Sequence, residues 1–335
     1  MTPPADHPPI AERKIGVLIV NLGTPDSPEP AAVRTYLRQF LSDPRVIEIP
    51  RLLWQPILRG IILNTRPKKS AHAYKQVWSD EGSPLAAITR RQARALEGAF
   101  GPGVVVDHAM RYGSPAIGDR IAALKAAGCE RILIAPLYPQ YCAATTATAN
   151  DEAFAAFQRM RWQPAIRTLP PYHDEPIYIE ALRAAAEASL AALDFEPQAV
   201  LTSFHGMPQR TLELGDPYHC HCQKTGRLLA HALDKELIVT FQSRFGRAKW
   251  LEPATDTMLE ALPGRGVERV AVLAPGFSAD CLETLEELAI RGRESFLAAG
   301  GTHFAYLPCL NDSEPGLAML RQLIGRELEG WLSRP

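Results

Sequence analysis

His205 stands where the apolar run AVLTSF (199–204) gives way to the turn Gly206-Met207-Pro208. A neutral imidazole at such a point can take a proton near physiological pH or ligate a borderline metal. The plainer alternative is a histidine that only hydrogen-bonds the turn. A second set of reactive groups runs Ala279-Asp280-Cys281-Leu282-Glu283-Thr284-Leu285-Glu286-Glu287. Read as a helix capped by Ser278 or Asp280, it places Asp280, Glu283 and Glu287 on one face and Leu282, Leu285 and Ile290 elsewhere. Like charges at that spacing repel, so the face is either solvated or a track that passes hydrated metal ions in or protons out. The tetrad His219-Cys220-His221-Cys222 has the composition of a metal site. A Cys-x-Cys needs two further ligands to close a shell, however, and ordinary packing is the simpler reading.

These residues need a scaffold, and the apolar runs supply one. IGVLIV (15–20), VVV (104–106), RILIA (131–135), AVLTSF (199–204), LIVTF (237–241) and RVAVLA (269–274) alternate with longer segments of helical period. Runs that are apolar throughout belong to parallel strands covered on both faces. An internal echo divides the chain: Gly128–Pro136 resembles Gly266–Pro275, and Asn21-Leu22-Gly23-Thr24-Pro25 resembles Phe204-His205-Gly206-Met207-Pro208. We expect two similar Rossmann-like lobes meeting near Pro170-Pro171, with a helix from about Asp174 to Leu193 opening the second and the segment Glu314 to Trp331 packing back on the first. Ligands of open parallel sheets bind beyond the carboxyl ends of the strands. The loops NLGTP, PLYPQY, SFHGMP and PGFSADCLETLEE all fall there, so four loops from both lobes should converge on one cleft.

Composition narrows the function further. The chain has 335 residues, 46% of them hydrophobic, with 36 basic and 37 acidic residues for a net charge of −1. That balance gives no steering toward nucleic acid or a bulk anionic membrane. Residues 1–13 have no apolar core of a secretory signal, no stretch is apolar enough to span a bilayer, and the six cysteines are mostly far apart. A cytoplasmic protein with reduced thiols is expected. No G-x-G-x-x-G or phosphate-binding loop is present, so a nucleotide cofactor loses support. The segment RLLWQPILRGIILNTR (51–66) joins bulky apolar residues to Arg51, Arg59 and Arg66, with Lys68-Lys69 following. It reads as core, or as an apolar lip that rests on a bilayer surface or admits a large flat substrate.

Taken together, the motifs closely resemble the ferrochelatase family. The resemblance runs from VLIVNLGTPDSP through LSDPRVIEIP, RPKKSAHAYKQVW, GSPL, AMRYGSP, PLYPQY, SFHGMP, GDPYHCHCQKT, FQSRFG and PGFSADCLETLEE to PCLNDS. It implies the chelatase fold: an α/β chain of two similar Rossmann-like lobes, each a parallel four-stranded sheet flanked by helices. The lobes would span 14–170 and 171–312, with a C-terminal helix in 313–332. It implies a lyase that inserts Fe2+ into protoporphyrin IX with release of two protons, giving protoheme. His205 and Glu283 would be the catalytic pair and touch the metal, Asp280 and Glu287 would form the proton or metal track, and Leu22, Tyr112 and Phe277 would line the macrocycle. Arg111 and Cys281 would support them. Many relatives carry a second histidine where this chain has Cys281, so a two-histidine delivery of metal does not transfer. Animal relatives hold an iron-sulfur cluster in a C-terminal extension that this sequence lacks, so no [2Fe-2S] cluster and no tightly bound cofactor is expected. Leu22 resembles relatives that use protoporphyrin; those using coproporphyrin tend to have tyrosine there. The expected partners are protoporphyrin IX and ferrous iron, with peripheral contact at the cytoplasmic face of the inner membrane, contact with the preceding heme-pathway enzyme, and no nucleic acid. The competing functions are a cobalt or other tetrapyrrole metal chelatase and a noncatalytic porphyrin or heme carrier.

Overall fold

Eight strands, the central ones apolar and rich in β-branched residues, pair into two sheets in the computed structural model, which describes residues 13–246 and 248–332. The first sheet is built from β1 (Lys14–Gly23), β2 (Val104–Tyr112), β3 (Cys129–Pro136) and β4 (Ala165–Thr168) in the order β2-β1-β3-β4. The second uses β5 (Ala199–His205), β6 (Leu237–Gln242), β7 (Arg269–Leu273) and β8 (His303–Leu307) in the order β6-β5-β7-β8. Every pairing is parallel, and the two orders are the same once the strands of the second sheet are renumbered. The sequence echoes therefore fall at equivalent places, Gly128–Pro136 and Gly266–Pro275 on third strands, NLGTP and FHGMP at the ends of first strands. The doubly wound architecture read from the apolar runs is present in both lobes. β4 and β8 are the additions, short edge strands whose partial exposure leaves no continuous apolar run to read.

Helices cover both faces of each sheet, which is why the central strands can be apolar throughout. The outer face of the first sheet packs on α5 (Ile117–Ala126) and α6 (Thr148–Gln158), and that of the second on α10 (Thr255–Ala261) and α12 (Arg293–Ala298). The inner faces share one core with α4 (Pro84–Leu96), α7 (Pro176–Ala191), α9 (Tyr218–Leu233) and α13 (Glu314–Leu328). α13 lies against α4 and β3 of the first lobe and against α7 of the second. Arg131 ties it to the first lobe, donating to the Trp331 carbonyl at 2.8 Å.

In a 2-1-3-4 order, connections leave the first and third strands in opposite directions, opening a crevice at their carboxyl ends. Both lobes point such a crevice at the loops singled out above. A glycine pressed on the backbone of the neighbouring strand ends β1, and another directly follows β5. A Cβ on Gly23, whose φ is +110°, would lie 1.8 Å from the Tyr112 carbonyl oxygen, and one on Gly206 would lie 2.4 Å from that of Gln242. Only hydrogen at those positions lets the chain turn so tightly beside the second strand.

Candidate active site

The site is assembled where the two crevices face each other. His205 is the last residue of β5, in register with Gln242 of β6, and its backbone carbonyl accepts from the Tyr218 hydroxyl at 3.0 Å. Its ring meets that of Phe277 edge-on, with centroids 6.5 Å apart. Phe277 from the second lobe and Leu22 from the first pack on one small apolar cluster of Leu85, Ile88, Ala279 and Cys281. Leu22, Phe277, His205 and Cys281, from three separate parts of the sequence, are thus brought together between the lobes.

The acidic segment takes a shape that the 3.6-residue period does not anticipate. Cys281 is extended and occupies the N-cap, its N–H donating to the Thr284 hydroxyl at 3.0 Å. After one helical turn, α11 (Leu282–Thr284), the chain widens into a π-helix over Leu285–Gly292. Insertions of i→i+5 bonding of this kind cluster at functional sites. Glu283 lies on the helical turn and Glu287 on the π-helix, whereas Asp280 precedes both. The Asp280 carboxylate is buried and accepts from Thr284 at 2.8 Å, Tyr306 at 2.7 Å and Asn311 at 2.6 Å. A carboxylate so fully bonded holds the turn in place and has little capacity left to pass ions. The three carboxylates expected on one helical face are thus divided, Asp280 before the helix and Glu283 and Glu287 within it.

Glu287 accepts from the Ser243 N–H at 2.7 Å and from the Ser243 hydroxyl at 2.6 Å. Burial holds its carboxyl above the ordinary range, against the pull of Ser243, His205 and Arg291. Glu283 sits among groups from both lobes. Burial and then the Glu283 charge push up the Cys281 thiol and the Tyr74 hydroxyl of α3 (Leu63–Val77). Cys281 at this pH is a neutral thiol in an apolar cluster.

Tyr112 and Arg111 both turn to Asp43. Tyr112 is 2% exposed, and its hydroxyl donates to Asp43 at 2.8 Å. Arg111 donates to the same carboxylate oxygen at 2.6 Å and to the Thr148 hydroxyl at 2.7 Å. The other Asp43 oxygen accepts from the Arg45 N–H at 2.8 Å. Asp43 is thus the anchor that sequence reading missed; its only signal was its place in LSDPRV. Just beyond it lies the apolar lip, α2 (Arg51–Ile57) and a π-turn over Leu58–Ile62 leading into α3. Leu52 is 90% exposed, Leu53 64% and Ile61 58%. Trp54 instead packs inward, its indole N–H on the Leu41 carbonyl at 2.6 Å.

The tetrad of α9 is divided by the helix. Cys222 is buried with Cys142, Phe204 and Phe241, Cys220 is exposed, His219 stacks on Phe241, and His221 stacks on His173 with centroids 3.6 Å apart. Among the described residues no group of three or more His, Cys, Asp or Glu side chains is arranged to hold a metal ion. Two protein groups suffice where a substrate's own nitrogens complete the shell.

Comparison with known proteins agrees with this arrangement. The Bacillus subtilis protein SirB, solved with Fe3+, superposes with a TM-score of 0.56 at 13% identity, covering 95% of this chain and 97% of its own. CbiX, described as the terminal enzyme of siroheme biosynthesis in denitrifying bacteria, superposes with a TM-score of 0.51 at 16% identity, covering 95% and 100%. At such identities these likenesses show the fold, that of chelatases. Curated sequences are far nearer. The ferrochelatase of Rhizobium meliloti strain 1021 is 58% identical over 98% of both chains, and that of Agrobacterium fabrum strain C58 is 54% identical over 98% of both. A family model described as Ferrochelatase matches residues 14–328. With the two crevices, the histidine and the acidic turn in place across that whole span, the chain belongs to the ferrochelatase family.

Proposed function

We propose that this chain inserts ferrous iron into protoporphyrin IX and releases two protons, giving protoheme. The observation that carries the reading is the meeting of His205, Glu283 and Glu287 with the apolar Leu22 and Phe277 between the lobes. Metalation requires the ring nitrogens to expose their lone pairs, Fe2+ to shed water, and two N–H protons to leave. A planar macrocycle directs its lone pairs into its own plane. Binding energy from its apolar faces, received by Leu22 and Phe277, can be used to bend it toward the metalated geometry. His205, at the end of β5, then takes a pyrrole proton or meets the metal. Glu283 reaches the same place from the turn after β7 of the same lobe, and Glu287, whose carboxyl is held protonated to higher pH than usual, accepts and releases protons toward solvent. Leu22 in place of a polar side chain favours the less carboxylated ring of protoporphyrin. Arg111 and Tyr112 act through Asp43 by holding the loop that leads to the lip. Because iron enters and leaves as Fe2+, the reaction itself calls for no redox cofactor.

Among the described residues no helix is long and apolar enough to cross a membrane. The exposed Leu52, Leu53, Ile57 and Ile61, flanked by Arg51 and Arg59, suit a surface that rests on lipid and receives an insoluble porphyrin there. The deciding experiment is anaerobic mixing of the protein with protoporphyrin IX and Fe2+, followed by absorption. Many turnovers to protoheme are expected; one equivalent of tightly held porphyrin without turnover would indicate a carrier, and preference for Co2+ a different chelatase.

A further inference from the structure

The strand that flanks His205 ends at Gln242, which with Ser243 grips Glu283 of the helical turn α11 and Glu287 of the π-helix. Gln242 is 3% exposed, and its side-chain amide donates to the Glu283 carbonyl at 2.7 Å. Its amide oxygen accepts from Ser203 at 2.7 Å, and Ser203 is bonded to Thr255 at 2.8 Å and Thr255 to Thr240 at 2.9 Å. These hydroxyls are fully buried, so the Gln242 rotamer is fixed from below. The next residue, Ser243, turns into the left-handed region at φ 66° and delivers both its N–H and its hydroxyl to Glu287. A residue other than glycine in that region is strained. Glycine would make the turn at ease, and its N–H would still reach Glu287. What serine adds is the second donor.

We propose that Gln242-Ser243 is the positioning element of the acidic pair, holding Glu283 by its backbone and Glu287 by its carboxylate beside His205. The inference rests on the reading that these carboxylates serve the metalation. β5 supplies His205 next to Gln242, α3 presents Tyr74 toward Glu283, β8 contributes Tyr306, which Asp280 occupies, and Arg291 lies 3.8 Å from Glu287 on the same element. None of these groups replaces the two donors of Ser243. Removing one frees Glu287 to rotate and lets burial raise its carboxyl further.

The test is kinetic, on the full chain with protoporphyrin and Fe2+. Ser243→Gly relieves the strain and removes the hydroxyl, while Ser243→Ala removes the hydroxyl and keeps the strain. Both should lower kcat about tenfold or more, leave KM for porphyrin little changed, and move the acid limb of the kcat profile to higher pH. Ser243→Gly should nonetheless melt at or above the wild-type temperature. Gln242→Met, of similar volume without the donor, should also lower kcat. Glu287→Gln is measured in parallel. If it is impaired while Ser243→Gly keeps wild-type kcat and pH profile, the positioning role is overturned and the site reading stands. A defect in Ser243→Ala that glycine abolishes likewise overturns it, since strain would then be the cause. If Glu287→Gln itself matches wild type, the site reading falls and the inference with it.

Discussion

At the scale of the residue, His205 and Glu283 divide the work between two neighbouring strand ends of the second lobe, and each has a distinct expected defect. No second imidazole faces His205 from the opposite element, where Cys281 is a neutral thiol raised by burial and by Glu283. His205→Ala should therefore remove a proton acceptor that no neighbour supplies. Loss of a general acid or base typically costs ~10² to 10⁴ in rate, while porphyrin still binds through its apolar faces. Retention of more than about a tenth of turnover would make the histidine structural. Glu283→Gln keeps shape without charge and should lower turnover more than porphyrin affinity; a pure affinity loss would place Glu283 in binding instead. His205 and the carboxylates were legible because their types are chemical and their neighbours Gly-Met-Pro and Asp-Cys-Leu mark them. Asp43, Gln242 and Ser243 were not, because their partners lie far away in sequence. Asp43, for example, meets Thr148 across 105 residues.

At the scale of the element, the central strands were legible from unbroken apolar runs, and the edge strands β4 and β8 were not, being half-exposed and four and five residues long. The π-helix at Leu285–Gly292 escaped because amphipathic patterns are read at the α-helical period, and Asp280 falls outside the helix because Cys281 is its N-cap. The loop from α1 (Pro30–Leu41) to α2 is held by one carboxylate. Although burial pushes Asp43 upward, hydrogen bonds from Thr148, the Arg45 N–H and Tyr112, with the charge of Arg111, bring it below the ordinary carboxylate range. A depressed carboxyl stabilises the fold above its unfolded pKa, and the contribution is lost as pH falls through the folded value. Asp43→Ala should thus cost about 3–5 kcal/mol at neutral pH, since the half-buried Arg111 is left with only Glu152, 3.5 Å away. In denaturant titrations the gap from wild type should narrow below about pH 4; a gap that is constant with pH would mean that only packing was lost. The lip behaves oppositely. Replacing Leu52, Leu53 and Ile61 with serine should leave the melting temperature nearly unchanged, as exposed substitutions do, yet release protein from anionic vesicles or raise KM for protoporphyrin. Trp54→Ser should destabilise instead, because Trp54 packs inward and bonds Leu41. Unaltered vesicle binding and KM in the triple variant would remove the lip from substrate entry.

At the scale of the whole molecule, the cleft exists because two similar lobes are held at a fixed distance. Beyond the shared apolar core, Gln92 of α4 donates to the Asn311 carbonyl at 2.7 Å, and Arg91 pairs with Asp312 at 2.8 Å. On the opposite side of the junction the loop after β3 is pinned to α9. Tyr141 donates its N–H to His221 Nδ1 at 3.2 Å, and Ala143 donates to Asp216 at 2.8 Å. His221 in turn lies flat on His173, which precedes α7, with the rings 6° from parallel. This contact prefers two neutral rings. Burial and then the neighbouring His221 hold His173 down to about 4, against the pull of Asp174, and burial lowers His221 as well. Protonating His221 would also cancel the acceptor that Tyr141 uses. A histidine whose folded pKa is depressed stabilises the fold above its unfolded pKa near 6.5, and the contribution is lost as pH falls toward the folded value. The window is therefore about pH 6.5 to 4. His173→Phe keeps a flat ring on His221 and removes the proton site. Chemical denaturation across this window should show wild type losing stability faster than the variant, by up to about 1.4 kcal/mol per pH unit for one proton. Parallel curves would show that the stacked pair takes up its proton as readily in the fold as out of it, and the junction would then owe nothing to the neutrality of these rings.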